Sequence, residues 1–135
     1  MKAWEAAYMA GIIDGEGSIT LTRIHKNEHR RPCITISSTD KELLTYLQAL
    51  GGGTIINKKN YKPDKHLNSY TLNIKVKTDV LKVLKNVHTF LRVDRKRKRA
   101  LLVLEQYELV TVRNGKYSKE ALKRKLSFED EFFQL

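Results

Sequence analysis

The sequence predicts an α+β fold in which an antiparallel sheet packs one face against helices. Segments that alternate apolar and polar residues occur as two consecutive pairs, and segments with helical apolar spacing lie before, between and after them. The predicted order is αββαββα followed by a C-terminal helical segment. With 135 residues and a hydrophobic fraction of 41%, the chain can bury a core and is predicted to form one domain over residues 1–135.

The first helix leads directly into a hairpin. The helix is predicted over residues 3–14, and Gly15 is expected to end it. Residues 18–24 and 31–37 alternate as two strands around a polar, cationic loop. The functional hypothesis depends on residues at this junction between helix and strand.

The second helix has sequence signals at both ends. Thr39 and Glu42 fit a capping box at its start, and glycines 51–53 are expected to end it. Its apolar face consists of Leu43, Leu44, Leu47 and Leu50. The rest of the chain is predicted to form a strand over 54–59, a strand over 69–76, a helix over 78–91, a helix over 99–110 and a partly helical segment over 117–135.

The net charge of +11 predicts a polyanionic partner, and nucleic acid is the first candidate. An anionic membrane surface is the competing explanation, but no basic amphipathic helix stands alone to serve it. We see no membrane-spanning apolar run and no secretory signal before the first helix. The single cysteine, Cys33, forms no intrachain disulfide. These features lead us to expect an intracellular protein, in the cytoplasm or nucleoid of a prokaryote or in an organelle.

One face of the predicted sheet is polar and basic. A solvated face looks similar, but in a chain of net charge +11 this composition favours a sheet that lies on DNA. Residues on this face are predicted to read bases in the major groove, whereas cations in the loops contact the backbone or outer bases. The face residues are Thr20, Thr22, Arg31, Thr35, Lys58, Ser69, Thr71, Asn73 and Lys75, and the loop cations are Lys26, Arg30, Lys59, Lys62 and Lys65.

The end of the first helix carries an unusual charge. Glu16 stands between two glycines, just after Asp14, where the negative end of the helix dipole disfavours carboxylates. Small residues along the same helix let another element approach closely, and packing against the chain's own sheet explains them equally well. That packing leaves Glu16 unexplained, because an acid at this position calls for a nearby cation.

The segment "MAGIIDGEG", Met9–Gly17, resembles the signature of LAGLIDADG homing endonucleases, with Met for the opening Leu and Glu for the last Asp. "ITISSTDKELLTYLQALGGGTI" is similar to the second helix and its flanks in single-motif members. "FLRVDRKRKRALLVLEQY" is similar to their later basic-then-helical segment. Together these segments cover most of the chain in the expected order.

This resemblance implies a homodimer whose motif helices pack together at a two-fold axis above a DNA-binding saddle. Glu16 of each chain would bind a divalent cation, Mg²⁺ or else Mn²⁺ or Ca²⁺, with the Gly15 carbonyl assisting. Asp14 would cap or brace the paired helices. The residues implied at the dimer interface are Ala7, Ala10, Gly11 and Asp14.

The resemblance also implies supporting catalytic residues. Ser38 matches a polar position that helps to order the attacking water, although a role as a capping neighbour of Thr39 explains it equally well. A lysine ahead of the late helix commonly supports the active site. Alignment backward from Ala100 selects Lys96, whereas alignment forward from Leu91 reaches Asp94, and Lys98 remains an alternative. The neighbouring cations Arg95, Arg97 and Lys98 are expected to contact phosphate.

The leading interpretation is a metal-dependent, intron-encoded endonuclease that cuts a long near-palindromic double-stranded DNA site. An RNA-splicing maturase of the same fold, with intron RNA as its partner, is the first alternative. A basic nucleic-acid-binding module without catalysis is the second. The intact Glu16 argues against a maturase that has lost all nuclease activity, although bifunctional members of the family exist, and the MAGIIDGEG junction disfavours the non-catalytic module.

Overall fold

The α+β fold and the predicted order of elements are confirmed in the computed structural model, which describes residues 1–58, 61–62, 64–65 and 67–135. The helices are α1 (Ala3–Glu16), α2 (Lys41–Gly51), α3 (Lys77–Val87), α4 (Asp94–Val110) and α5 (Lys119–Gln134), and a 3₁₀ turn (His88–Phe90) follows α3. The strands are β1 (Gly17–Thr22), β2 (Arg31–Ser38), β3 (Thr54–Asn57) and β4 (Tyr70–Ile74).

The four strands form one antiparallel sheet in the order β1-β2-β4-β3. Alternation along the strands sends apolar side chains to one face, where they join residues of all five helices in a single core. The strand residues in this core are Ile19, Leu21, Ile34, Ile36, Leu72 and Ile74. The opposite face carries hydroxyl, amide and cationic side chains, together with the buried Cys33 and the exposed Ile56.

Helix α1 is longer than predicted, because it continues through Gly15 and Glu16. It ends at Gly17, whose N–H donates to the Ile13 carbonyl. A Cβ atom at Gly17 would lie 2.9 Å from the Ile13 Cα, so the turn from helix to strand requires glycine there. The prediction that Gly15 ends the helix is therefore wrong, because Gly15 lies inside the last turn of α1.

The predicted capping box of α2 is wrong. The helix begins at Lys41, its N-cap is Asp40, and no side chain caps it. Ser38 Oγ instead accepts a hydrogen bond from the Asp40 N–H at 3.0 Å. This bond gives the Asp40 N–H an acceptor in the turn before the helix begins. The predicted glycine stop is confirmed, because Gly52 and Gly53 have φ angles of 81° and 99°.

The basic run at 95–99 belongs to a helix rather than to the segment before it. Helix α4 begins at Asp94, which accepts hydrogen bonds from Arg97 at 2.7 Å and Lys98 at 2.9 Å within the first turns. The hydrogen bond from Lys98 is the main cause that lowers the pKa of Asp94.

Three predicted strands and one predicted helix are shorter in the structure, and β1 ends at Thr22 rather than at residue 24. β3 ends at Asn57 and β4 ends at Ile74, while α3 ends at Val87 and tightens into the 3₁₀ turn. Within the described part of the chain, no helix has the length and apolar character needed to cross a membrane.

Candidate functional site

Glu16 is the last residue of α1, and its side chain is exposed where the helix turns into β1. Among the residues that the structure describes, none forms a hydrogen bond or an ion pair with its carboxylate. The carboxylate also lies at the negative end of the helix dipole. An exposed acid in this position is available to bind a cation from outside the chain.

The same helix end is clamped to the start of α4. Lys96 Nζ donates to the main-chain carbonyls of Ile13 at 2.8 Å and Asp14 at 2.9 Å. The Asp14 carboxylate accepts the backbone N–H groups of Arg92 at 2.8 Å and Val93 at 3.0 Å. Lys96 thus places a positive charge at the negative C-terminal end of α1, and Asp14 places a negative charge at the positive N-terminal end of α4.

Ser38 lies at the same end of the sheet as Glu16. Gly17 pairs with Ile36, and Ser38 lies two residues further along β2. Its hydroxyl accepts the Asp40 N–H, as a capping neighbour would. The structure therefore brings Glu16, Lys96 and Ser38 to one region, and their catalytic roles stay predictions.

A metal ion would need ligands beyond those of one chain. In the described ranges, no group of three or more His, Cys, Asp or Glu side chains could hold an ion. The Glu16 carboxylate is a hard oxygen donor, and Gly15 beside it is exposed. These groups fit a divalent cation as part of a ligand set that other molecules complete.

The exposed stripe of α1 differs from the predicted one. Trp4, Tyr8, Gly11 and Gly15 are exposed, and Ala7 is half-buried. Ala10 is fully buried in the core, so its small side chain serves packing within the chain and the prediction that it lies at a dimer interface is wrong. Asp14 is likewise engaged within the chain by the start of α4.

On the polar face of the sheet, several hydroxyl groups bond to one another across strands. Ser18 Oγ lies 2.6 Å from Thr35 Oγ1, and Ser37 Oγ lies 2.9 Å from Thr71 Oγ1. Thr71 is only 7% exposed, which corrects its assignment as an accessible base-reading residue. The remaining predicted face residues are exposed or half-buried: Thr20, Thr22, Arg31, Lys58, Ser69, Asn73 and Lys75.

The predicted loop cations fall into two groups. Arg30 donates to Glu129 Oε1 at 2.8 Å, so α5 holds the guanidinium that we expected to contact DNA. Lys26, Lys62 and Lys65 are exposed, while Lys59 lies outside the described residues, as does His66.

Arg95, Arg97 and Lys98 lie on the first turns of α4, where Arg97 and Lys98 bond to Asp94.

The sequence interpretation missed the charged residues buried under α5. Lys125 is 1% exposed and Glu129 is 4% exposed, and they share the helix face of Phe128 and Phe132. Burial lowers the pKa of Lys125, whose ammonium donates to Thr111 Oγ1 at 2.7 Å. The helical spacing of the two phenylalanines was the available signal, because it places positions 125 and 129 on the same apolar face.

The fold and the site define a class of protein: an α+β domain with an open, cationic sheet face and an exposed acid at the end of its first helix. Residues 3–112 match the LAGLIDADG-like domain family, and the chain therefore belongs to that family. None of the curated protein sequences matches the chain at a significant level.

Solved structures of homing endonucleases share this fold. The chain is similar to the homing endonuclease I-CvuI in complex with its target, with a TM-score of 0.70, 18% identity and coverage of 98% of this chain and 82% of that one. It is similar to the archaeal intron-encoded enzyme I-Vdi141I complexed with DNA, with a TM-score of 0.63, 18% identity and coverage of 97% and 83%. It is also similar to the meganuclease I-AabMI bound to uncleaved DNA, with a TM-score of 0.63, 19% identity and coverage of 96% of this chain and 44% of that one.

Proposed function

We propose that this chain is a site-specific, divalent-metal-dependent DNA endonuclease of the homing type that acts as a homodimer. The observation that carries the proposal is the exposed and unpaired Glu16 carboxylate, at the end of the family's motif helix and beside a cationic sheet face. The structures of I-CvuI and I-Vdi141I in complex with DNA support a DNA partner.

The glycines of α1 support the dimer. A Cβ atom built at Gly11 or Gly15 meets nothing within 4 Å, so packing inside the chain gives no reason for glycine at either position. Glycine inside a helix costs roughly 0.5–1 kcal/mol relative to alanine. A second α1 helix that approaches closely along this stripe supplies the missing reason, and it brings two Glu16 carboxylates together at the axis.

Glu16, with the Gly15 carbonyl, would hold Mg²⁺ or a similar cation. One structure of I-CvuI was solved in the presence of Ca and another in the presence of Mg, the latter with DNA that was not cleaved. A bound divalent cation stabilises the charge that develops on a phosphate and makes a bound water a stronger nucleophile. Lys96 fixes the last turn of α1 and so holds Glu16 in place. Ser38, which lies at the same end of the sheet as Glu16, would help to order the attacking water.

The sheet face would lie in the major groove, where Thr20, Thr22, Asn73 and Lys75 contact base edges. Arg95, Arg97 and Lys98, on the first turns of α4, would contact backbone phosphates. The chain's net charge of +11 favours this binding through the release of counterions from DNA.

The test compares wild type with Glu16→Gln on the uninterrupted allele of the gene that carries the intron, with Mg²⁺ present. Both proteins should bind this duplex, and only wild type should cut both strands, with the variant at least about 10³-fold slower because an essential ligand oxygen is lost. Glu16→Asp restores the acid of the family signature and should retain cleavage. Glu42→Gln, on the exposed start of α2, is the control for loss of a carboxylate.

Wild-type protein that binds the duplex but never cuts it would contradict the endonuclease assignment. Specific binding of intron RNA without DNA cleavage would instead favour the maturase. Binding of nucleic acid with neither specificity nor cleavage would favour the non-catalytic module.

A further inference from the structure

The loop between β1 and β2, residues 23–30, lies at the far end of the hairpin from Glu16. β1 starts directly after Glu16, where Gly17 pairs with Ile36, and it ends at Thr22, which pairs with Arg31. Residues 23–27 of this loop are exposed. A hairpin loop of this length has no regular ladder of hydrogen bonds to hold its shape, so its position depends on other contacts.

Three side chains of the C-terminal segment hold the end of this loop. Arg30 Nη1 donates to Glu129 Oε1 at 2.8 Å, and its guanidinium lies 5.2 Å from the centre of the Phe133 ring. His29 Nδ1 lies 3.9 Å from Glu129 Oε2. The His29 ring packs edge-on against the Tyr117 ring, with 4.6 Å between the ring centres. Both residues at the base of the loop are therefore fixed to α5 or to the turn that precedes it.

Helix α5 is itself fixed to α4. The buried Lys125 ammonium donates to Thr111 Oγ1 at 2.7 Å and lies 4.5 Å from the centre of the Tyr107 ring. Phe128 and Phe132 are buried in the core. A continuous set of packed contacts thus connects α4, α5 and the loop. The family match ends at residue 112, before α5 begins.

Glu129 is the central residue of this connection. It is 4% exposed, and a carboxylate so buried is stable only when it is paired. Oε1 is paired with Arg30, whereas Oε2 has no hydrogen-bond partner among the described residues. Loss of the carboxylate would remove the ion pair of Arg30 and the contact of His29 together, leaving only their ring contacts with Phe133 and Tyr117.

We propose that α5 holds the β1–β2 loop in one position, and that Glu129 is a positioning residue for the recognition of the outer base pairs of the DNA site. The inference rests on the proposed function. With two Glu16 residues at the centre of the dimer, the opposite ends of β1 and β2 lie over the outer base pairs. A loop fixed there holds Lys26 in one arrangement relative to Thr22 and Arg31 at the adjoining strand ends, which discrimination between bases requires.

The first test needs no DNA and compares Glu129→Ala with Asp130→Ala. Asp130 is the exposed neighbour on α5, so both variants raise the net charge by one and only one of them frees the loop. The NMR order parameters of residues 23–30 should fall from about 0.85 to below about 0.6 in Glu129→Ala and stay unchanged in Asp130→Ala. Equal order parameters in both variants would overturn the proposal.

The second test uses the duplex that wild type cuts and a panel with single base-pair changes. Glu129→Ala should lose about tenfold discrimination at the outer positions and none at the central ones, while Asp130→Ala should keep the wild-type profile. A uniform loss, or the same loss in both variants, would overturn the inference while the proposed function stands. If Glu129→Ala does not fold, Phe133→Ala, at a position 44% exposed, is expected to show the same loss at the outer positions, and a wild-type profile in it would overturn the proposal.

Discussion

At the scale of single residues, the end of α1 illustrates how one helix terminus serves two purposes. The last turn of a helix leaves carbonyls without intrahelical donors, and Lys96 satisfies those of Ile13 and Asp14. Because this ammonium is already committed to the carbonyls, the adjacent Glu16 carboxylate stays unpaired. The lysine that the family resemblance implied thus contacts the backbone of α1 directly before Glu16.

Lys96→Met should lower the free energy of unfolding by about 1–2 kcal/mol, because two charge-assisted hydrogen bonds at a half-buried site are lost. Lys98→Met should cost less than about 0.5 kcal/mol, because Lys98 makes an exposed ion pair with Asp94. Urea denaturation measures both values, and cleavage rates should fall more in Lys96→Met. An equal effect of the two variants would show that Lys98 is as important as Lys96.

At the scale of elements, the sequence predicts the centres of helices and strands better than their ends. Alternation in β1, β2 and β4 and leucine spacing in α2 follow from burial, which the order of residues encodes directly. The ends depend on distant contacts: α4 begins where Asp14 accepts the N–H groups of Arg92 and Val93. Local sequence contains no such information.

The candidate site was predictable to a similar extent. Glu16 stands out in the sequence because a carboxylate at a helix C-terminus is unfavourable without a cation. Glu129 and Lys125 did not stand out, because charged residues on a C-terminal helix are usually solvated. Their burial arises only when the β1–β2 loop and α4 pack against α5.

The exposed stripe of α1 gives a prediction at this scale. Gly11→Leu should preserve or slightly raise the stability of the chain, because the position is open and leucine favours helix by roughly 0.8 kcal/mol over glycine. The same change should weaken dimerisation at least about tenfold, because the helices can no longer approach closely. Ala49→Leu, on an exposed position of α2, is the matched control. Sedimentation equilibrium that shows unchanged dimerisation of Gly11→Leu would place the interface elsewhere.

At the scale of the whole molecule, charge and shape act together. The chain carries +11 in formal charge, and the helices pack against the apolar face of the sheet. The cations Arg31, Lys58 and Lys75 lie at or beside the other face, which leaves that face suited to a long polyanion. This arrangement predicts a binding energy dominated by phosphate contacts, with specificity supplied by a smaller number of base contacts.

Affinity for duplex DNA should therefore fall steeply with salt, by about 10³-fold or more between 50 and 200 mM if six or more phosphates are neutralised. Lys75→Gln on the sheet face should flatten the slope of log K against log salt by about one, whereas Lys85→Gln on the exposed side of α3 should leave it unchanged. Titrations followed by fluorescence anisotropy give both slopes. A shallow slope in wild type would contradict the placement of the sheet on DNA.

In the proposed homodimer, two copies of Glu16, one from each chain, serve one DNA strand each. The most direct measurement uses purified mixed dimers of wild type and Glu16→Gln on a supercoiled plasmid that carries the target site, with Mg²⁺ present. Wild-type dimers should linearise the plasmid, Glu16→Gln dimers should leave it intact, and mixed dimers should only nick it. Linear product from the mixed dimers at the wild-type rate would contradict the account.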